Sequence, residues 1–344
     1  MMLRPFALAA GGVAGFVLLL ELLFRLLPVS TSTQTGYYFD PAILSYPAHH
    51  TFRTATGWDL RNPQTLRSNN LGFVADQDFV PDAQAIALIG DSYVEASMLP
   101  AAGRLGAQLA QALAGRRAVY AMGSPGTSLL DYAERVRFAH QRFGIRDFVL
   151  LMERGDLRQS LCGSGNVHSA CLDPATLAPR TLTLPAPSPL KQVLRHSALA
   201  QYLSGQLKVA PARLWQQAFA GAAAPAGPEP GASTAAPAPL QPQAVDTVTG
   251  VFLARIQAHV AGQLVVVLDS PRPGSAPASA AERSERQRFM ALLSAAGAVV
   301  VDTELLYRAH AAQSPLSLEV GPYDGHLNAL GLQIIARAVA GVLR

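Results

Sequence analysis

Ala85-Ile86-Ala87-Leu88-Ile89-Gly90-Asp91-Ser92 is the stretch on which the fold turns. Its first five residues are uncharged and too few for a stable helix, so they read as a strand buried on both faces. A Gly-Asp turn ends the strand at Ser92, and a helix-compatible run follows from Ala101 to Ala114. Working outward, Ala118-Val119-Tyr120-Ala121 predicts a second strand, which enters the glycine-rich Met122-Gly123-Ser124-Pro125-Gly126-Thr127-Ser128. A helix over Leu129 to Phe143 and a strand over Asp147 to Met152 come next. The alternation resumes far downstream, with a helix from Val248 to Val260, a strand from Leu264 to Leu268 and a helix from Ala280 to Ala295. A strand from Ala298 to Val301 and a closing helix from Asn328 to Leu343 complete it. Strand alternating with helix is the grammar of a parallel sheet covered on both faces. The expected fold is therefore α/β, a three-layer αβα sandwich with a mostly parallel five-stranded sheet, preceded by an N-terminal transmembrane helix.

That N-terminal helix is read from Met1 to Pro28, where Phe6 to Leu20 carry no charge and Glu21 and Arg25 interrupt the remainder. A helix over Pro5 to Leu27 would be about long enough to cross a hydrocarbon layer of roughly 30 Å. Glu21 and Arg25 stand four apart on one face near its end, where they can pair and reach toward the interface. Arg4 ahead of the apolar run favours a cytoplasmic N-terminus. A cleavable signal peptide is the competing reading, although no small-x-small cleavage site follows promptly in Pro28-Val29-Ser30-Thr31-Ser32-Thr33. A soluble amphipathic helix is the third.

The chain divides on this reading into an anchor over 1–29, an extended polar collar over 30–84, and a catalytic-type domain over 85–344. An insertion over 158–246 interrupts that domain. Leu190 to Ala218 has a helical pattern, whereas 219–243 is mostly Ala, Pro, Gly and Ser and is expected to be a disordered surface loop. Cys162 and Cys171 are the whole cysteine inventory. In an exported domain they would form a disulfide, and otherwise they are two unrelated thiols.

Composition narrows the function classes. With 27 Lys plus Arg against 23 Asp plus Glu in 344 residues, the surplus is too small and scattered for a nucleic-acid surface. Fixed-period repeats are not evident, which sets aside solenoids and coiled coils. No histidine cluster suggests zinc. The Gly123 to Gly126 loop lacks the spacing and lysine of a phosphate-binding loop, so no cofactor is expected.

Two segments suggest chemistry. Ser92 falls at the carboxyl end of a buried strand with its N–H at a helix start, where open α/β sheets bind ligands and where an N–H can serve an oxyanion. A helix cap is the plainer reading of such a serine. Near the other end, Asp324-Gly325-His326 precedes the closing helix. An imidazole can accept the serine proton once a carboxylate fixes its tautomer, and Asp324 is close enough along the chain to do so. A solvent-exposed turn histidine is the alternative.

The block ending Ala87-Leu88-Ile89-Gly90-Asp91-Ser92-Tyr93-Val94-Glu95-Ala96 resembles the first block of the SGNH, or GDSL, hydrolase superfamily. Asp324-Gly325-His326-Leu327-Asn328 through Gly331 resembles its last block. The resemblance covers Ala85 to Arg344 without the insertion, and implies a flavodoxin-like SGNH fold. It also implies Ser92 as nucleophile, His326 as base and Asp324 as the acid, with oxyanion donors from the N–H groups of Ser92 and Gly126, Gly123 being a second candidate. Members with an N-terminal membrane helix and polar collar are similar to residues 1–84.

The sequence departs from the family pattern twice. Met152-Glu153-Arg154-Gly155-Asp156-Leu157 puts Gly155 where the family's third block has an asparagine that donates to the oxyanion. Losing one such donor costs about 3 kcal/mol, a rate factor on the order of a hundred. Arg154, Asn69 and Asn70 are the candidate substitutes. The acid commonly stands three residues before the histidine, where this chain has Tyr323. Asp324 stands two before, an Asp-x-His arrangement similar to that of bacterial polysaccharide O-acetylation proteins, whose chain order differs.

The resulting expectation is an exported, single-pass inner-membrane serine esterase with its domain in the periplasm or outside the cell. Its substrate is an acyl ester, O-acetyl on an envelope polysaccharide being the favoured case, and a membrane acyl-transfer or polysaccharide-assembly partner is expected. The same acyl-enzyme would serve an O-acetyltransferase if a sugar hydroxyl replaced water. A non-catalytic envelope protein for glycan binding or assembly is the rival from a different class.

Overall fold

A computed structural model describes residues 3–31, 34–182, 188–207 and 238–343. The chain falls into two compact units. One comprises Met1–Gln34, Phe52–Leu66 and Pro185–Ala235; the other comprises Thr35–Thr51, Arg67–Leu184 and Ala236–Arg344.

In chain order the elements are α1 (Leu3–Leu26), a hairpin of β1 (Thr51–Thr56) and β2 (Arg61–Arg67), β3 (Ile86–Gly90), the one-turn α2 (Ser92–Glu95) and α3 (Leu105–Ala112). They continue with β4 (Val119–Gly123), α4 (Leu129–Phe143), β5 (Asp147–Met152) and α5 (Asp156–Gln159). A small antiparallel pair follows, β6 (Ala170–Leu172) and β7 (Pro179–Thr181), then α6 (Pro189–Leu194) and α7 (Ala198–Gln201). The last run is α8 (Pro242–Ile256), β8 (Leu264–Leu268), α9 (Ala280–Ala295), β9 (Val299–Asp302), α10 (Thr303–Ala311) and α11 (Ala329–Val342).

The second unit is built on a five-stranded sheet in the order β4-β3-β5-β8-β9, and every neighbouring pair is parallel. Parallel strands bury both faces, which is why β3, β4 and β8 are buried at every position and read as apolar runs. One core packs Ile89, Leu150 and Val266 against Leu129, Val136, Val248, Phe252 and Phe289 of α4, α8 and α9. The opposite core packs Leu88, Val149 and Val267 against Leu105, Leu109, Tyr307, Leu332 and Ile335 of α3, α10 and α11. The strand order reverses at β3, so the crevice outside its carboxyl end is the switch point where ligands bind in such sheets.

Local chemistry sets the helix ends. Asp131 takes the backbone N–H of Ser128 at 3.1 Å at the start of α4, and Gly144 ends that helix with φ 73°. Asn328 caps α11 by accepting from Gly331 N at 3.0 Å.

The structure adds detail to the sequence reading and moves one helix start. Residues 51–67, within the stretch read as extended, form the β1–β2 hairpin. Helix α8 starts at Pro242 rather than Val248, because proline suits the first helical position. The last residues of the Ala/Pro-rich 219–243 stretch are thus helical, while 219–237 lies outside the described residues, as does 208–218 of the helical pattern before it. Cys162 and Cys171 form a disulfide, closing the loop that leads into β6.

Candidate active site

Ser92 opens α2 directly after β3. Asp91 caps the turn, its Oδ1 accepting Tyr93 N at 2.8 Å, and its carbonyl accepts from Glu95 N at 3.1 Å. As the first helical residue, Ser92 keeps its N–H outside the intrahelical ladder and aimed past the strand end. The turn packs tightly on β4: a Cβ at Gly123 would fall 2.3 Å from Glu95 N, so only glycine fits there.

His326 arrives from the loop before α11. That loop is closed by Gly321 N to Asp324 O at 2.7 Å and Val320 N to His326 O at 2.9 Å. Ser92 Oγ lies 2.8 Å from His326 Nε2, and His326 Nδ1 lies 2.5 Å from Asp324 Oδ1. The same Asp324 oxygen accepts His326 N at 2.9 Å, which fixes the carboxylate against the ring. With Nδ1 donating to Asp324, Nε2 is the acceptor for the serine hydroxyl. The Tyr93 ring packs on the imidazole with centroids 4.8 Å apart. The structure thus brings Ser92, His326 and Asp324 into one continuous line of hydrogen bonds.

Electrostatics favour a basic imidazole. Burial works against the imidazolium, but the hydrogen bond and charge of Asp324, with Asp91 and Glu95 behind, raise the His326 pKa above its ordinary value. Burial also acts on Asp324, and the bond to His326 more than offsets it, holding that carboxyl below its usual range. The His326 side chain remains 31% exposed and that of Asp324 11%.

Beneath the site lies a set of buried acids. Burial, with the charge of Glu153 added, pushes Asp91 upward. Burial raises Glu95 to about 7 despite the hydroxyl of Tyr46 at 3.3 Å. Burial and the charges of Asp91 and Glu153 raise Asp156, which accepts from Tyr132 Oη at 2.8 Å and Glu153 N at 2.9 Å. Arg135 of α4 is the cation facing Asp91 and Asp156, and Arg104 faces Glu95. Arg135 Nη1 donates to Gly90 O at 2.5 Å and Met122 O at 2.6 Å, and its Nη2 to the hydroxyl of Thr127. One fork therefore fastens the ends of β3 and β4 and the turn after Gly126.

Gly126 has φ 71°, a conformation that favours glycine. Its carbonyl accepts Val167 N at 2.8 Å, so the loop closed by the disulfide holds this turn from outside. Gly123 ends β4 against α2.

The candidate substitutes for the missing asparagine make the following local contacts. Asn69 Nδ2 donates to Gln77 O at 3.2 Å while its Oδ1 takes the N–H groups of Leu71 and Phe73. Asn70 Nδ2 donates to Phe79 O at 2.9 Å. These amides stitch the 69–79 loop together, with one N–H of each committed there. Arg154 is 55% exposed and pairs with Glu153 at 3.4 Å.

At Gly155 itself, a Cβ would fall 2.6 Å from Gln159 Nε2 and 2.6 Å from Glu153 Oε2. Two neighbouring side chains thus fill the space that a residue at 155 would use. Glu153 accepts Gly155 N at 2.5 Å, and Gln159 Oε1 accepts Asn166 Nδ2 at 2.6 Å. The sequence reading missed Arg135, Glu153 and Gln159. Only Arg135 had a signal, a charge set in the buried row Tyr132, Val136, Ala139 and Phe143. Among the described residues no cluster of His, Cys, Asp or Glu could hold a metal ion.

No protein-family model matches the chain, and no curated protein matches it. Among solved structures it is similar to an alpha/beta hydrolase from the metagenome of Lake Arreo, at 14% identity over 77% of this chain and 98% of that one, with TM-score 0.38. A member of the lipolytic G-D-S-L family from Veillonella parvula matches at 10% identity over 75% and 97%, with TM-score 0.41. A carbohydrate acetylesterase from Sinorhizobium meliloti matches at 10% identity over 75% and 97%, with TM-score 0.36. The likeness to these solved structures is distant, at 10–14% identity.

Proposed function

We propose that this chain is an SGNH-type serine esterase, exported and tethered by α1, that cleaves an acyl ester through an acyl-enzyme. The observation that carries the reading is the line Ser92 Oγ, His326 Nε2, His326 Nδ1, Asp324 Oδ1, with separations of 2.8 and 2.5 Å.

In the mechanism, Ser92 Oγ bonds to the ester carbonyl carbon as its proton passes to His326 Nε2. Asp324 orients the ring and stabilises the imidazolium. Collapse of the tetrahedral intermediate breaks the carbon–alkoxide bond, and His326 returns the proton to the departing alkoxide. Water, deprotonated by the same imidazole, then attacks the acyl carbon and frees Ser92. A sugar hydroxyl in place of that water gives acyl transfer with the same atoms accounted for.

The N–H groups of Ser92 and Gly126 hold the oxyanion, and the amide of Gln159 supplies the third donor in place of the absent asparagine. Its Nε2 lies 2.6 Å from where a Cβ on Gly155 would fall and donates one N–H to Glu153 Oε2 at 3.3 Å, leaving the second N–H for the oxyanion. His326 is part-exposed, so attack takes place near the surface, which suits a short acyl group such as acetyl on a bulky polysaccharide alcohol.

The test is an active-site phosphonate probe on the full chain, with the adduct located by peptide mass spectrometry. Labelling of Ser92 that is lost in His326→Ala is the expected result. A folded chain that takes no label at Ser92 overturns the reading.

A further inference from the structure

We infer that residues 188–207 are a second membrane contact, an interfacial segment held on the end of α1 and seated among the headgroups of the same bilayer. The inference rests on the reading of α1 as a membrane span and goes beyond it.

The apolar stretch of α1 runs from Leu8 to Leu26, 19 residues with mean hydropathy 1.8 and none of that window buried. At the rise of a helix it is about 28 Å long, close to the hydrocarbon thickness. Glu21 lies five residues before its end, roughly 8 Å inside. A carboxylate at that depth needs donors other than water.

The chain supplies them from residues distant in sequence. Glu21 Oε1 accepts Arg25 Nε at 2.8 Å and Ala198 N at 3.0 Å. Its Oε2 accepts Ser197 Oγ at 2.7 Å and Leu199 N at 3.0 Å. Arg25 Nη2 donates to His196 O at 3.4 Å, and the Phe24 ring stacks on Tyr202 with centroids 4.4 Å apart. Tyr202 Oη in turn donates to Trp58 O at 2.8 Å. The last two turns of α1 are therefore bound to residues 196–202 by hydrogen bonds and one ring stack.

The segment so held turns its apolar side chains outward. Leu190 and Val193 are each 68% exposed, and with Leu194 they form an i, i+3, i+4 row on α6. Leu203 and Leu207, four apart, are also exposed, as is Trp58 at 59%. Lys191, Arg195 and Arg25 are interspersed with this row. Aliphatic side chains, cations and indole or phenol rings beside the end of an apolar helix are the composition of a membrane interface, with the cations suited to anionic headgroups. The row ends three residues before Ser197, whose hydroxyl, with the next two backbone N–H groups, is bound by Glu21 of α1, so the bilayer that α1 enters is the occupant assigned.

The test uses the full chain in vesicles of about three parts phosphatidylethanolamine to one of phosphatidylglycerol. Single cysteines replace Phe16, Leu190, Val193 or Arg308 and carry a nitroxide. The readout is the ratio of collision rates with oxygen and with a water-soluble nickel chelate. Expected is an oxygen-favoured ratio at Phe16, Leu190 and Val193, several-fold above that at Arg308. An aqueous ratio at Leu190 and Val193 with Phe16 in lipid overturns the inference and leaves the anchor standing. An aqueous ratio at Phe16 removes the anchor reading and the inference together. Glu21→Ala is expected to move Val193 to the aqueous value while Phe16 stays in lipid; an unchanged Val193 ratio overturns the role given to Glu21.

Discussion

The guanidinium of Arg135 donates to the carbonyl of Gly90 at 2.5 Å, two residues before Ser92. Helix α4 thereby holds the turn that presents the serine, although nothing in α4 belongs to the line of three side chains. Burial lowers the Arg135 pKa, and the negative potential of Tyr132, Asp131, Asp91 and Asp156 opposes that shift.

Arg135→Met is expected to destabilise the chain by about 3–5 kcal/mol, because it strands a set of buried acids and three acceptors at once. Arg135→Lys keeps the charge and loses the fork, so it should recover part of the stability and little of the activity. Urea unfolding beside ester hydrolysis separates the two effects. Stability equal to the parent in Arg135→Met would show that the fork is not a structural tie.

Asp324→Asn should lower kcat by up to about ten-thousandfold with the fold intact, since an amide cannot fix the tautomer that leaves Nε2 free to accept. Circular dichroism and steady-state hydrolysis of a small acetyl ester are the measurements. A loss under about tenfold would mean that Asp324 is not the group orienting His326.

The pH profile follows from the raised pKa of His326. Neutral imidazole is the working base, so kcat/KM should fall as pH drops through a value above that of a free imidazole. Asp324→Asn should move this limb to lower pH. A limb below the ordinary imidazole value in the parent chain would contradict the geometry.

Glu95 gives an independent prediction on stability. Its folded pKa is raised to about 7, so its contribution is fullest below the unfolded value and is lost as pH climbs through about 7. Glu95→Gln should therefore gain on the parent between pH 5 and 8, by up to about 3 kcal/mol. Parallel unfolding curves across that range would remove Glu95 from the account.

Gln159→Ala tests the third oxyanion donor. The expected loss is tenfold to a hundredfold in kcat with KM little changed, since the donor acts on charge that develops only in the transition state. A change confined to KM would place Gln159 in substrate binding instead.

The sheet was legible because parallel strands between two helical layers must be apolar on both faces, and all five strands read as short apolar runs. Helix α10 was not, because no loop separates it from β9: Asp302 ends the strand and caps the helix, accepting Glu304 N at 2.9 Å. Ser92, Asp324 and His326 stood out because each sits beside a strand end or helix start that sequence marks. Asn69 and Asn70 were singled out by residue type, and type says nothing of where an amide is already committed. Gln159 and Glu153 converge on Gly155 only through the short turn of α5, a matter of three-dimensional placement.

Ser92 and His326 are 234 residues apart in sequence. On the proposed mechanism the nucleophile is made well before its base, and the two meet only once the loop ahead of α11 has folded onto the strand ends. A chain in which His326 is not yet made, or one clipped ahead of it, therefore carries a serine that this imidazole cannot activate. A fragment that ends before His326 is thus harmless to acyl esters wherever it is made.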